Sequence, residues 1–235
     1  DMAYESDLTN LIWESQDAEG HNFVAPVLAQ KIAFDDNASL RAAVYTSYGR
    51  LHGNPLDKLL NSSVPLDSLP KQWHVKRFVS DVLFTSFLRR LGLFNSDRKP
   101  GNIIVAKDGT SRYVDFEFAM TPQQFRQRTV HSDGKPWEGP GSIPFLAPER
   151  FAVDHSDPYV ADIFSLALVY VLGATGRHPF GVSACSGHGT AAYLIRHEEI
   201  TDVSRVRLYI HVPRDIANIC IDALDKNPRN RPTIN

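Results

Sequence analysis

Two neighbouring stretches hold the residue types that phosphoryl transfer requires: Ser96-Asp97-Arg98-Lys99-Pro100-Gly101-Asn102 and, a little further on, Val114-Asp115-Phe116-Glu117. Such a transfer needs little covalent help from a protein. It needs an oriented hydroxyl nucleophile and metal ions that neutralise charge on the phosphates. One aspartate near the hydroxyl, one metal-holding asparagine and one metal-holding aspartate meet that need, and Asp97, Asn102 and Asp115 are the candidates. The spacing of Asp97 and Asn102 is a weak signal by itself, because aspartate and asparagine also cap turns in ordinary loops. Order along the chain has to supply the specificity.

The elements that must position these side chains are legible nearby. Before them, residues 69–92 follow a helical period, with Val75, Phe78, Val79, Val82, Leu83, Phe87, Leu88 and Leu91 as the apolar positions and Gly92 as the stop. Between them, Ile103-Ile104-Val105 and Tyr113-Val114 flank the turn signal Lys107-Asp108-Gly109, which predicts a small hairpin. Residues 121–148 carry five prolines and read as one long irregular segment, a platform for a substrate. Tyr159 to Thr175 is apolar nearly all round, as expected of a helix buried on every side. Further helices are predicted at about 190–198 and 213–225. Upstream, residues 5–18 suggest a short helix, and Ala25–Phe34 with Ser39–Tyr48 suggest a hairpin turning at Asp35-Asp36-Asn37.

Composition narrows the class of protein. The chain has 235 residues, 43% of them hydrophobic, enough for one large packed domain or two small ones. A formal net charge of −2 gives no whole-molecule electrostatic case for nucleic acid or an anionic membrane. The strongly apolar run from Ile163 to Ala174 is about half of what a bilayer span requires, and no basic-then-apolar leader opens the chain. Cys185 and Cys220 fit neither a redox pair nor a zinc knuckle, so two buried thiols in a reducing cytoplasm are expected.

Five motifs in one order resemble the eukaryotic-type serine/threonine protein kinase family. Asp97 to Asn102 matches the catalytic loop H-R-D-x-x-x-x-N, and Asp115-Phe116 matches D-F-G. Gly141-Ser142-Ile143-Pro144-Phe145-Leu146-Ala147-Pro148-Glu149 is similar to the activation-segment end in A-P-E. Asp162-Ile163-Phe164-Ser165-Leu166 resembles the head of the central helix, and Asp225 to Pro232 the closing motif. The resemblance spans about residues 21–235 and implies an α+β, protein-kinase-like fold: a mainly helical C-lobe from 49 to 235 and a reduced N-terminal β lobe within 1–48, with a hinge at about 45–49. ATP and magnesium are the implied cofactors, and a protein substrate or regulatory protein the implied partner. By the same resemblance Asp97 accepts or orients the hydroxyl proton, Lys99 contacts the transferring phosphate beside Ser142, and Asn102 and Asp115 hold magnesium. Val44 would lie beside adenine with Tyr45, Thr46 and Ser47 as hinge. Glu149 and Arg231 would form a buried structural ion pair, and Asp162 would brace the catalytic-loop backbone. The plain alternatives are turn-capping residues for Asp97, Asn102 and Asp115, a solvated lysine for Lys99, and an ordinary strand end for Val44. Lys99-Pro100 after the aspartate resembles serine/threonine rather than tyrosine kinases.

The match departs from the family in places. Asn95 and Ser96 replace the histidine and arginine of the loop, so an arginine to pair with a phosphate on Thr129 or Ser132 is missing there. Glu117 replaces the glycine of D-F-G. Neither a glycine-rich loop nor a V-A-I-K lysine precedes residue 25, Lys31 is a poor substitute, and either Glu5 or Glu14 would be the helix glutamate. The opening Asp1-Met2-Ala3 and the stop at Asn235 lead one to expect a chain cut at both ends. Besides an active kinase, the departures leave open a pseudokinase acting as a binding module and a small-molecule phosphotransferase.

Overall fold

A computed structural model describes residues 27–34, 42–48, 53–62, 66–116, 118–128, 141–151 and 157–234. The helix expected at 5–18, with Glu5 and Glu14, lies outside these residues, as do Glu117, Thr129 and Ser132. Strands β1 (Val27–Phe34) and β2 (Ala42–Tyr48) pair antiparallel from Phe34↔Ala42 to Val27↔Tyr48, the pairing expected of the hairpin.

The rest is mainly helical, consistent with the α+β class the resemblance implied. A short strand β3 (Asn54–Pro55) leads into helix α1 (Leu56–Leu60), and then comes the long helix α2 (Lys71–Arg90). Helix α2 ends where Gly92 was expected to stop it. Gly92 has φ +73°, its N–H donates to Arg89 O at 2.9 Å, and the Leu93 N–H donates to Leu88 O at 2.9 Å, the paired bonds of a Schellman cap.

The buried face of α2 differs from the expected apolar stripe. Of the eight apolar positions only Phe87 and Leu88 are fully buried, while Val79 is 46% exposed. His74, Arg77, Ser80, Asp81 and Thr85 are buried instead. The reason is what α2 packs against. The Arg77 guanidinium donates to the Val169 carbonyl at 2.9 Å and the Tyr170 carbonyl at 3.3 Å, both on helix α4 (Pro158–Thr175). The carbonyls of the facing helix take up Arg77, while Ser80 and Thr85 donate to carbonyls of their own helix and Asp81 accepts from Tyr113.

Helix α4 is the centre of the larger core. The Asp157 side chain accepts from the Tyr159 N–H at 3.0 Å, Pro158 occupies the first turn, and Gly176 ends the helix in the left-handed region. Phe164, Leu168 and Val171 pack with Phe180, with Leu208 of helix α6 (Asp202–His211) and with Cys220 of helix α7 (Arg214–Ala223). By length and composition α4 could cross a membrane, but 83% of it is buried inside the fold, so it is a core helix. Helix α5 (His188–His197) closes this part of the molecule.

Helix α6 is absent from the sequence reading. Its Val203, Val206, Tyr209 and Ile210 point outward, between 39% and 57% exposed, so its apolar pattern does not mark the buried face. The free thiols also divide: Cys220 is buried but Cys185 is exposed, against the expectation of two buried ones.

Gly173 marks the tightest contact between α2 and α4. A Cβ there would lie 2.0 Å from Arg77 Nη1 and 2.6 Å from its Cζ, and the guanidinium, fully buried, has nowhere to retreat. Gly173→Ala should therefore destabilise the fold by about 2 kcal/mol or more, through overpacking and displaced hydrogen bonds. A urea denaturation midpoint equal to that of the parent chain would contradict this packing.

Candidate active site

Both chemistry-bearing stretches are held at both ends. At the outer ends, strand β4 (Phe94–Asn95) pairs with strand β7 (Ala119–Met120), and the Ser96 N–H donates to Phe118 O at 3.2 Å. At the inner ends, strands β5 (Ile103–Val105) and β6 (Ser111–Tyr113) form the expected hairpin, with β3 added on the far side of β5. The two stretches thus face each other across a small closed frame.

Asn102 sits between the two acids. Its Nδ2 donates to the Asp97 carbonyl at 3.2 Å, and its own carbonyl accepts from Val114, the residue before Asp115, at 3.0 Å. Asp115 has φ +65°, the one positive φ at a non-glycine among the described residues. Backbone strain of this kind concentrates at functional sites.

Around Asp97 the side chains converge further. Lys99 Nζ donates to Asp97 Oδ2 at 2.5 Å, and Ser142 Oγ donates to Oδ1 at 2.7 Å. Each carboxylate oxygen therefore carries one donor. Asp97 is 3% exposed while the Lys99 side chain is 32% exposed, so the lysine bridges a buried carboxylate to solvent. Ser142 reaches the loop because Gly141 has φ +121°, and a Cβ there would stand 2.5 Å from Ser96 O.

Asn95 and Ser96 have new partners. Asn95 Oδ1 accepts from the Asp97 N–H at 3.1 Å, and the Asn95 N–H donates to Asp162 Oδ2 at 3.4 Å. Arg150 Nη2 donates to Ser96 Oγ at 3.1 Å, with its guanidinium 4.2 Å over the Phe125 ring. A buried arginine therefore reaches the loop from outside the catalytic-loop motif. Burial pulls Arg150 down to about 9, with Glu149 and Asp162 pulling the other way, so it stays cationic at neutral pH.

Arg98, unremarked in the sequence, is the most heavily bonded member of the loop. Its Nε donates to Asp162 Oδ1 at 3.0 Å, and its Nη1 and Nη2 donate to Tyr113 Oη and Thr85 Oγ1, each at 2.9 Å. Glu149 and Arg231 meet as a buried bidentate pair at 2.6 and 2.8 Å. Val44, Tyr45 and Ser47 lie in β2, opposite Ile32, Lys31 and Ala29 in the ladder. The segment expected to be irregular from 121 begins instead with helix α3 (Pro122–Arg128). The signal was present: Thr121 and Gln124 exchange side-chain and backbone bonds at 2.9 and 3.2 Å, a capping box written as T-x-x-Q.

A cavity of about 800 Å³ opens beside this site, lined by Lys99, Pro100, Gly101, Pro144, Phe145 and Leu172 among others. Asp97, Asn102 and Asp115 are not among its lining residues. His178, on its wall, accepts from the Phe180 N–H through Nδ1 at 3.2 Å and faces Pro144 O through Nε2 at 2.8 Å, which fixes a neutral ring. Burial, and the Lys226 charge, lower His178 to about 4; burial, with Arg77 and His211, does the same to His74 in α2. Folded values below the ordinary 6.5 mean the unfolded chain binds these protons first. Their stabilisation is complete above about pH 6.5 and lost as pH falls towards 4. Stability at pH 5 should be lower than at pH 7 by about 2 kcal/mol for each histidine. Parallel urea titrations at the two pH values check this, and His178→Gln should remove about half of the difference, leaving the share of His74.

Comparison with known proteins gives the class. The family model for the protein kinase domain matches residues 42–235. The chain belongs to the protein kinase domain family. It is 26% identical to serine/threonine-protein kinase kin-29 of Caenorhabditis briggsae over 85% of this chain and 21% of that protein. It is 29% identical to the probable serine/threonine-protein kinase RTK1 of Saccharomyces cerevisiae over 64% of this chain and 24% of that protein. It is 26% identical to the probable serine/threonine-protein kinase PknB of Lactococcus lactis over 60% of this chain and 21% of that protein. The chain therefore spans a small part of the relatives it matches.

Proposed function

We propose that this chain is the catalytic core of a serine/threonine protein kinase, moving the γ-phosphate of ATP to a protein hydroxyl. The observation that carries the reading is the Asp97 carboxylate held between Lys99 and Ser142. Asp97 orients the acceptor hydroxyl and takes up its proton as the new P–O bond forms and the bond from the γ-phosphorus to the bridging oxygen breaks, releasing ADP; Lys99, partly exposed, steadies the phosphate oxygens. The names of the similar proteins support serine or threonine as the acceptor.

The donor set suits magnesium. Asn102 offers an amide oxygen, turned away from the Asp97 carbonyl because its nitrogen bonds there, and Asp115 offers a carboxylate. Two hard oxygen ligands suit an ion that keeps waters and binds substrate phosphates. Among the described residues no three acidic, histidine or cysteine side chains cluster as a metal cage of their own. When bound, the ion supplies charge neutralisation at the phosphates.

The cavity next to Lys99 accommodates the acceptor segment, with Pro144, Phe145 and Leu172 as its apolar lining. Val44, Tyr45 and Ser47 contact the adenine end of ATP through the β2 backbone. Residues 1–48 form part of the small lobe and 49–235 the helical lobe. A cytoplasmic location fits the two free cysteines. The test is incubation of the chain with magnesium, γ-labelled ATP and a general protein acceptor. Label should appear on serine or threonine and require magnesium. Absence of transfer under every metal condition would leave the binding-module alternative, and label on a small molecule alone would favour the other phosphotransferase class.

A further inference from the structure

Arg98 and Tyr113 touch across the frame that holds the two acids. Arg98 follows Asp97 directly, and Tyr113 lies two residues before Asp115. Between them Arg98 Nη1 donates to Tyr113 Oη at 2.9 Å, and the same hydroxyl donates to Asp81 Oδ1 at 2.7 Å. One O–H group accepting from a cation and donating to an anion has no rotational freedom left. The surroundings are dry: Arg98, Tyr113, Asp81 and Asp162 are each at most 3% exposed. The Tyr113 ring is also stacked on Phe84, with centroids 3.8 Å apart. Burial holds the Tyr113 hydroxyl well above its ordinary value, with Asp81 adding to this, so it stays protonated as a donor.

We infer that the Arg98–Tyr113 hydrogen bond is a positioning link that sets the placement of Asp97 relative to Asp115. The inference rests on the phosphotransfer reading above. Neither residue touches substrate. The link acts through the backbone on both sides: Arg98 is anchored to α4 by Asp162 and to α2 by Thr85, and Tyr113 is anchored to α2 by Asp81. Fixing both ends to the two largest helices makes the acid-to-acid geometry a property of the core, set before any ligand arrives. Ordinary loop bracing through the Asp162 contact with the Asn95 N–H would hold the first stretch alone. The tyrosine extends that bracing to the second.

Tyr113→Phe is the test, because it removes one hydroxyl and keeps the stacked ring. In the full chain, with magnesium, ATP and a protein acceptor, kcat should fall by about 10- to 100-fold, as expected for small misplacements of reacting groups. KM for ATP and for acceptor should change by less than about 2-fold. Leu208→Ala, a distant core change of the α4–α6 contact, serves as the comparison for stability alone. A kcat loss in Tyr113→Phe no greater than in Leu208→Ala at matched temperature below unfolding would overturn the link. A second readout is independent of turnover. Hydrogen exchange of peptides covering 94–99 and 114–118 should quicken together in Tyr113→Phe, and quickening of one alone, or neither, rules the coupling out. A parent chain without transfer but with coupled exchange would sink the kinase reading and leave the link standing.

Discussion

Asp97→Asn should lower phosphate transfer by about 10²- to 10⁴-fold, the usual contribution of a positioned general base. The substitution is close to isosteric, so the backbone N–H of residue 97 keeps its bond to Asn95 Oδ1. What changes is the chemistry of the two oxygens that now accept from Lys99 and Ser142. The amide can accept from only one of them, carries no charge for Lys99, and cannot take a proton from an acceptor hydroxyl. ATP affinity, which does not depend on this carboxylate, should change little. The combined result expected is a large fall in kcat with an almost unchanged KM for ATP, measured by steady-state transfer of labelled phosphate. Residual transfer close to that of the parent would remove Asp97 from the chemistry and favour the alternative in which it caps a turn.

The largest stability effect is expected at the other end of the activation segment. Glu149 and Arg231 are 7% and 5% exposed and meet through two parallel hydrogen bonds. Arg231 also donates to the Asp225 carbonyl at 2.8 Å and lies 4.8 Å over the Phe164 ring, so it cannot leave with its charge. Glu149→Gln strands a buried guanidinium, a loss of about 3–5 kcal/mol. For a domain of this size that corresponds to a fall in Tm of about 10 °C. The double variant Glu149→Gln/Arg231→Met should lose less than the sum of the two single losses, since the second change removes the stranded charge. Additive losses in calorimetry would mean the pair is not coupled, contrary to its geometry.

The order of the motifs and the ends of most elements were legible because they are written in a few adjacent residues. Gly92 stops α2, Lys107-Asp108-Gly109 turns the β5–β6 hairpin, and Asp97 stands five positions before Asn102. Local signals of this kind act through backbone dihedrals and nearest hydrogen bonds, which the sequence states directly. Helix α3 was equally local and was obscured by the prolines around it; the T-x-x-Q box was the signal to weigh.

What the tertiary structure alone decided is how the charges are used. Arg77, Arg98 and Arg150 are each buried against a partner 54 to 93 residues away. Charged side chains are buried only when distant groups arrive to pair with them, and no periodicity records that arrival. The sequence by itself determined which chemistry the chain could attempt and which elements would form. Only the packed fold decided that Asn95 accepts from the Asp97 N–H, that Arg150 reaches Ser96 and that Arg98 bonds Tyr113, because those contacts exist only once the helices have met.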